Sequence, residues 1–118
     1  MNIRLKRTYD EPEETDGYRV LVDRLWPRGV KKETLLHDEW LKEIAPSNEL
    51  RKWFKHDPGK FDEFKRRYYT ELDQKPEVTD TLLEKLHSGR TLTLLYSAKD
   101  RKHNNAVVLK EYLEERVR

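Results

Sequence analysis

The sequence predicts an α/β domain: one small layered unit over residues 1–118, with a short, mostly parallel sheet flanked by helices. Three observations carry this. Val20-Leu21-Val22 runs straight into Asp23-Arg24-Leu25-Trp26-Pro27-Arg28-Gly29, the pattern of a buried strand delivering polar side chains to its carboxyl end. A second β-branched and apolar run, residues 91–96, is followed by a polar loop and an amphipathic helix. Between the two lie several helical stripes, so the order is strand, strand, helices, strand, helix.

Each element follows from its residues. Residues 2–8 alternate, with Ile3 and Leu5 on one face and Arg4 and Lys6 on the other, as in a half-buried strand near a sheet edge. Residues 10–17 are acidic, contain Pro12 and end in Asp-Gly, which reads as a solvated connector. Residues 18–23 form the second strand, buried on both faces. Pro27 and Gly29 stop regular structure, and residues 31–44 read as an irregular or helical cover carrying Leu35, Leu36, Trp40, Leu41 and Ile44.

Ser47 is placed to cap a helix that turns Leu50, Trp53 and Phe54 inward. His56-Asp57-Pro58 ends that helix and starts the next, because Asp caps well and Pro suits the first helical position. Phe61, Phe64, Tyr68 and Leu72 then form one apolar stripe. Pro76 breaks it, Val78, Leu82, Leu83 and Leu86 form another helix, and Gly89 closes that one. Ala106, Leu109, Leu113 and Val117 mark the last helix. The long connection between the two buried strands is expected to cross right-handed.

Composition narrows the function. With 41% charged and 35% hydrophobic residues the core is small and the surface ionic, yet 10% aromatic content and clear periodicity favour folding over disorder. A net charge of only +2 argues against a general polyanion coat. The absence of cysteine excludes disulfides and thiolate chemistry. The four histidines lack the spacing that binds zinc on one helix, so neither a metal nor a cofactor is expected. No apolar run nears the ~20 residues that span a bilayer, and no charged-then-apolar leader opens the chain. The expected location is the cytoplasm, without membrane contact; oligomeric state is not legible.

Open α/β sheets bind ligands beyond the carboxyl ends of their strands. Two polar segments arrive there, residues 23–29 and residues 96–105. Free amides at a helix start, with Arg and Lys nearby, favour an anion. The candidate ligand-binding set is Asp23, Arg24, Trp26, Arg28, Lys42, Tyr96, Asn104 and Asn105, with Ser47 and Arg51 from the middle of the chain. Arg24, Arg28 and Lys42 would hold charge, and Asp23 would orient an arginine or act as a base. Trp26 and Tyr96 would shape a wall, and the two asparagines would donate hydrogen bonds. Each has a plainer reading as well: Arg24 in an ion pair, Trp26 in the core, Asn104 or Asn105 as a helix cap. His56 beside Asp57 has the pattern of an oriented imidazole, but Asp57 already serves as a cap and sequence neighbours on a helix point apart. Glycine-rich phosphate loops and a serine nucleophile elbow are missing.

Residues 16–29 (DGYRVLVDRLWPRG), 40–47 (WLKEIAPS), 50–58 (LRKWFKHDP), 67–68 and 93–100 (TLLYSAKD) together resemble the DUF488 family, in its YeaO-like branch. The likeness covers nearly the whole chain. It implies a compact α/β fold and leaves activity open, because the family is one of unknown function. More distant members carry a Cys-His-Arg triplet at the start of the last helix. The matching positions here are Asn104, Asn105 and Ala106, so the resemblance transfers no thiol chemistry, and Asp23-Arg24 becomes the better anchor for a shared site.

The expected function is therefore binding of, or action on, a small anionic or phosphorylated ligand at the strand ends. Two alternatives remain open. One is a nucleic-acid-binding module using Arg24, Trp26, Arg28, Lys31, Lys32 and Trp40. The other is an interaction or regulatory protein whose tryptophans form one exposed patch.

Overall fold

The computed structural model describes residues 2–117. Its sheet has four strands, all parallel: β1 (Ile3–Arg7), β2 (Tyr18–Leu21), β3 (Glu39–Trp40) and β4 (Leu92–Tyr96), in the order β1-β4-β2-β3. Four helices accompany it: α1 (Asn48–Phe54), α2 (Phe61–Asp73), α3 (Pro76–His87) and α4 (Asn105–Val117). β4 lies between β1 and β2, with Leu94 opposite both Leu5 and Val20. It is buried along its whole length, which explains its lack of alternation. β1, at an edge, keeps its half-polar pattern.

Successive strand residues point to opposite faces, and here the two faces are covered differently. Val20, Val22, Leu92, Leu94 and Tyr96 pack with Phe54, Phe64, Tyr68, Leu82 and Leu109, so all four helices contribute to one layer. The other face is covered by the irregular chain after β2, where Leu35, Trp26 and Val30, with Trp40 of β3, pack on Leu21 and Leu95. Fully burying one such side chain is worth about 1.5–3 kcal/mol. The helix-side layer, with many more of them, holds the domain together.

The local signals act as read. Ser47 Oγ accepts from the Leu50 amide, Asp57 Oδ1 accepts from the Gly59 amide, and Gly89 closes α3 with φ +86°. Two readings need correction. Residues 31–44 hold a two-residue strand, β3, followed by a 3-10 turn at Lys42–Ile44. Nothing in their spacing predicts a strand; tertiary pairing selects it, through Asp38 N–H donating to Arg19 O and Leu41 N–H to Leu21 O.

The second correction concerns Asp16, which is not part of a solvated connector. Its side chain is wholly buried and receives Lys6 Nζ at 2.8 Å, Arg4 Nη1 at 3.4 Å and Arg19 Nη1. Burial resists its ionisation most strongly. The Lys6 ammonium, the Glu13 amide and Arg19 outweigh that and hold the carboxyl below its ordinary range. Gly17 then turns the chain into β2 with φ +66°. A Cβ there would stand 2.4 Å from Thr91 O, so glycine is required.

Candidate functional site

A cleft of about 850 Å³ opens where β2 and β4 end, between the start of α4 and the α1 region. Asp23 organises it. Its Oδ2 accepts from both the Ser97 amide (2.9 Å) and Ser97 Oγ (2.8 Å), the residue that leaves β4. Its Oδ1 accepts from Asn105 Nδ2 (3.2 Å), the first residue of α4, and the same amide also reaches Val22 O at 3.1 Å. One carboxylate thereby ties together two strand ends and a helix start. On the main chain, Trp40 Nε1 donates to Asp23 O at 2.8 Å and fixes the turn out of β2.

These partners are all neutral. Burial pushes the Asp23 carboxyl upward, and the bonds from Ser97 and Asn105, with the more distant Arg51, only partly offset it. Its pKa stays above the ordinary carboxylate value.

The walls follow from the flanking elements. Arg24 donates Nε to Pro46 O (3.0 Å) and Nη2 to Ala45 O (3.2 Å), clamping the strand end to the approach of α1. On α1, half-buried Arg51 donates one nitrogen to Asn48 Oδ1 (2.9 Å), and Lys52 lies beside it at the cleft. Lys99 enters from the loop after β4. Phe54 and Phe64, stacked with centroids 4.1 Å apart, supply an apolar floor, with Ala98 and Leu25 nearby. The lining thus carries four basic side chains, Arg24, Arg51, Lys52 and Lys99, against one carboxylate. His56 reaches the rim from an unusual turn in which both Lys55 (φ 50°) and His56 (φ 56°) are left-handed. Such a pair of non-glycine residues costs on the order of 1–3 kcal/mol each.

Of the residues singled out from sequence, the cleft gathers Asp23, Arg24, Arg51, Asn104 and Asn105. Asn104 is almost fully buried and caps α4, its Oδ1 accepting from the Val107 amide at 3.0 Å and its Nδ2 donating to Asp100 O. The other five lie elsewhere. Trp26 belongs to the loop-covered face, donating to Val30 O and packing edge-on against Trp40. Arg28 is exposed, and its carbonyl accepts from Tyr9. Lys42 stands 4.7 Å over the Trp40 ring. Ser47 caps α1 and donates its hydroxyl to Glu71. Tyr96 is core, on the helix side of β4. Asp57 serves as the cap before α2.

Ser97, Lys52 and Lys99 join the cleft without having been selected, and His56, weighed above beside Asp57, stands at its rim. Ser97 had a usable signal: it follows β4 as Asp23 follows β2. Lys99 shared that signal, lying in the segment 96–105 that leaves β4, and Lys52 had none in a chain with 25 Lys and Arg residues. The three tryptophans do not share one patch, since Trp53 packs against the helix-side core under Arg67 and Lys60. Among the described residues no group of three or more His, Asp or Glu side chains is arranged to hold a metal. None of the described helices is long and apolar enough to cross a membrane.

The family profile described as "Inactive DUF488-N3 subclade" matches residues 2–118. "Uncharacterized protein YeaO" of Escherichia coli (strain K12) is 50% identical over 113 residues, covering 96% of this chain and 97% of that protein. "Uncharacterized protein Rv3073c" of Mycobacterium tuberculosis (strain ATCC 25618 / H37Rv) is 38% identical over 114 residues, covering 97% and 95%. The Mycobacterium bovis protein "Uncharacterized protein Mb3100c" matches to the same extent. No solved structure matches the chain significantly. With its four-stranded parallel sheet and a match over all but the first residue, the chain belongs to the DUF488 family, in the subclade described as inactive DUF488-N3.

Proposed function

We propose that this protein is a binding domain for a small anionic or phosphorylated ligand, seated in the cleft between the ends of β2 and β4, rather than a catalyst. The observation that carries the reading is the charge of the lining. In a chain whose acids and bases nearly cancel, four cations converge on one cleft with a single carboxylate. Clefts lined by one sign of charge concentrate ligands of the other. Arg51 keeps donors unused by Asn48, and guanidinium groups recognise phosphate and carboxylate through paired N–H bonds. The description of the matched subclade as inactive supports binding without turnover.

The nucleic-acid alternative is less well supported. It calls for aromatic faces open to stacking bases, whereas Lys32 and Lys42 already lie over the Trp26 and Trp40 rings. Here Trp26 and Trp40 pack against each other over Leu21 and Leu95, across the sheet from Phe54 and Phe64 at the cleft.

Calorimetric titration with inorganic phosphate at low ionic strength tests the proposal. Wild-type protein should bind with millimolar or tighter affinity. Arg51→Ala and Lys99→Ala should each weaken binding about tenfold, the scale of one charge-assisted hydrogen bond. Absence of heat and of amide shifts around Ser97 at tens of millimolar phosphate would overturn it.

A further inference from the structure

We infer that the ligand of this cleft is a phosphorylated polyol, a phosphate ester whose hydroxyl donates to Asp23 Oδ1 while its phosphate faces Arg51, Lys52 and Lys99. The inference rests on the anion-binding reading above and names the class of ligand.

Its starting point is the uneven use of the Asp23 carboxylate. An ionised carboxylate offers about four acceptor positions on its two oxygens. Oδ2 is occupied by two good donors from Ser97. Oδ1 has one long bond, from an Asn105 N–H group that also serves Val22 O. The residue lines the cleft, where a bound molecule can donate to its carboxylate. A half-buried carboxylate in that state is stabilised by one more donor.

Charge then separates the two ends of the ligand. A bare anion beside Asp23 is repelled by it, and in a partly dehydrated cleft that repulsion is stronger than in water. A hydroxyl turned toward Oδ1 replaces repulsion with a hydrogen bond and keeps the phosphate at the cationic side. Asp23 and Arg51 both line the cleft, and the Asp23 side chain bonds to Ser97 and Asn105. The size of the cleft agrees: about 850 Å³ far exceeds inorganic phosphate and lies within the range of small-molecule sites. The apolar floor of Phe54 and Phe64 suits the carbon face of a polyol.

The test compares inorganic phosphate, ethyl phosphate and glycerol 3-phosphate by calorimetry, in wild-type protein and in Asp23→Asn. Glycerol 3-phosphate should bind wild type about tenfold more tightly than ethyl phosphate. Asp23→Asn should erase that preference, read as the ratio of the two esters' affinities within the variant, whatever its effect on either affinity alone. In parallel, the Asn105 side-chain amide of wild-type protein should shift with glycerol 3-phosphate and stay in place with ethyl phosphate, a readout that needs no variant to fold. Equal affinity of the two esters for wild type, or a preference that survives Asp23→Asn, overturns this inference and leaves the anion reading standing. Failure of all three phosphates to bind wild type overturns both.

Discussion

Asp16 and Asp23 stand at opposite ends of the same strand, and their surroundings differ in kind. Asp16, before β2, is fully buried and met by Lys6, Arg19 and Arg4, so its charge is cancelled where it sits. Asp23, after β2, is half-buried and met by Ser97 and Asn105, which are neutral. The cations near Asp23 line the cleft instead of pairing with it. The first carboxylate is held below its ordinary pKa and the second above it, although burial raises both. One acid is paired with cations inside the fold, and the other lines the cleft with neutral partners.

The largest way to break this comparison is Asp16→Ala. It strands Lys6 and Arg19 in a buried setting, and removing one partner of a buried ion pair costs about 3–5 kcal/mol. Urea unfolding should register that loss; a change under 1 kcal/mol would contradict it. Gly17→Ala comes next. The added methyl meets Thr91 O at a left-handed φ, and a loss of about 2–3 kcal/mol is expected in the same assay. At the other end of β2, Ser97→Ala removes one hydrogen bond to Asp23 Oδ2 and should cost about 1 kcal/mol. Its thermal shift should be several-fold smaller than that of Asp16→Ala.

The smallest and sharpest effect is the sign of the pH dependence. Asp16 is depressed in the folded state, so its stabilisation is present above the ordinary value of 3.8 and is lost as pH falls through its lower folded pKa. Asp23 is raised, so its contribution is present below 3.8 and is lost as pH rises through its higher folded pKa. The deficit of Asp16→Asn relative to wild type should therefore grow as pH rises from acid to neutral. That of Asp23→Asn should shrink over the same rise. Urea midpoints at a series of pH values measure both, and parallel slopes would remove the distinction between the two acids.

The parts of the fold legible from residues are those set within a few positions of one another. Ser47 three residues before Leu50, Asp57 beside Pro58, and Gly89 after Leu86 each mark a helix end by a bond to a near neighbour. β3 was hidden because two residues carry no period, and its selection depends on backbone groups of β2. Trp26 looked like a wall of the cleft because it follows Arg24 by two positions; the turn after Asp23 sends it to the other face, where Leu21 and Leu95 bury it. The importance of Asp23 and Arg24 could be read from their place at a strand end. Ser97 could be placed at the neighbouring strand end in the same way, but its bonds to Asp23 and those of Arg24 to the Pro46 carbonyl could not.

Alternation in residues 2–8, the apolar runs within 18–23 and 91–96, and the capped stripes between them were enough to determine an α/β domain, because strand and helix periods are local properties of the chain. Only the folded arrangement decided which acid is neutralised and which is left open. Ser97 lies 74 residues from Asp23 and Asn105 lies 82, while Lys6 and Arg19 close on Asp16 from two different strands. Charge and hydrogen-bond capacity depend on distance in space, and no spacing along a sequence so rich in Lys, Arg, Asp and Glu encodes that.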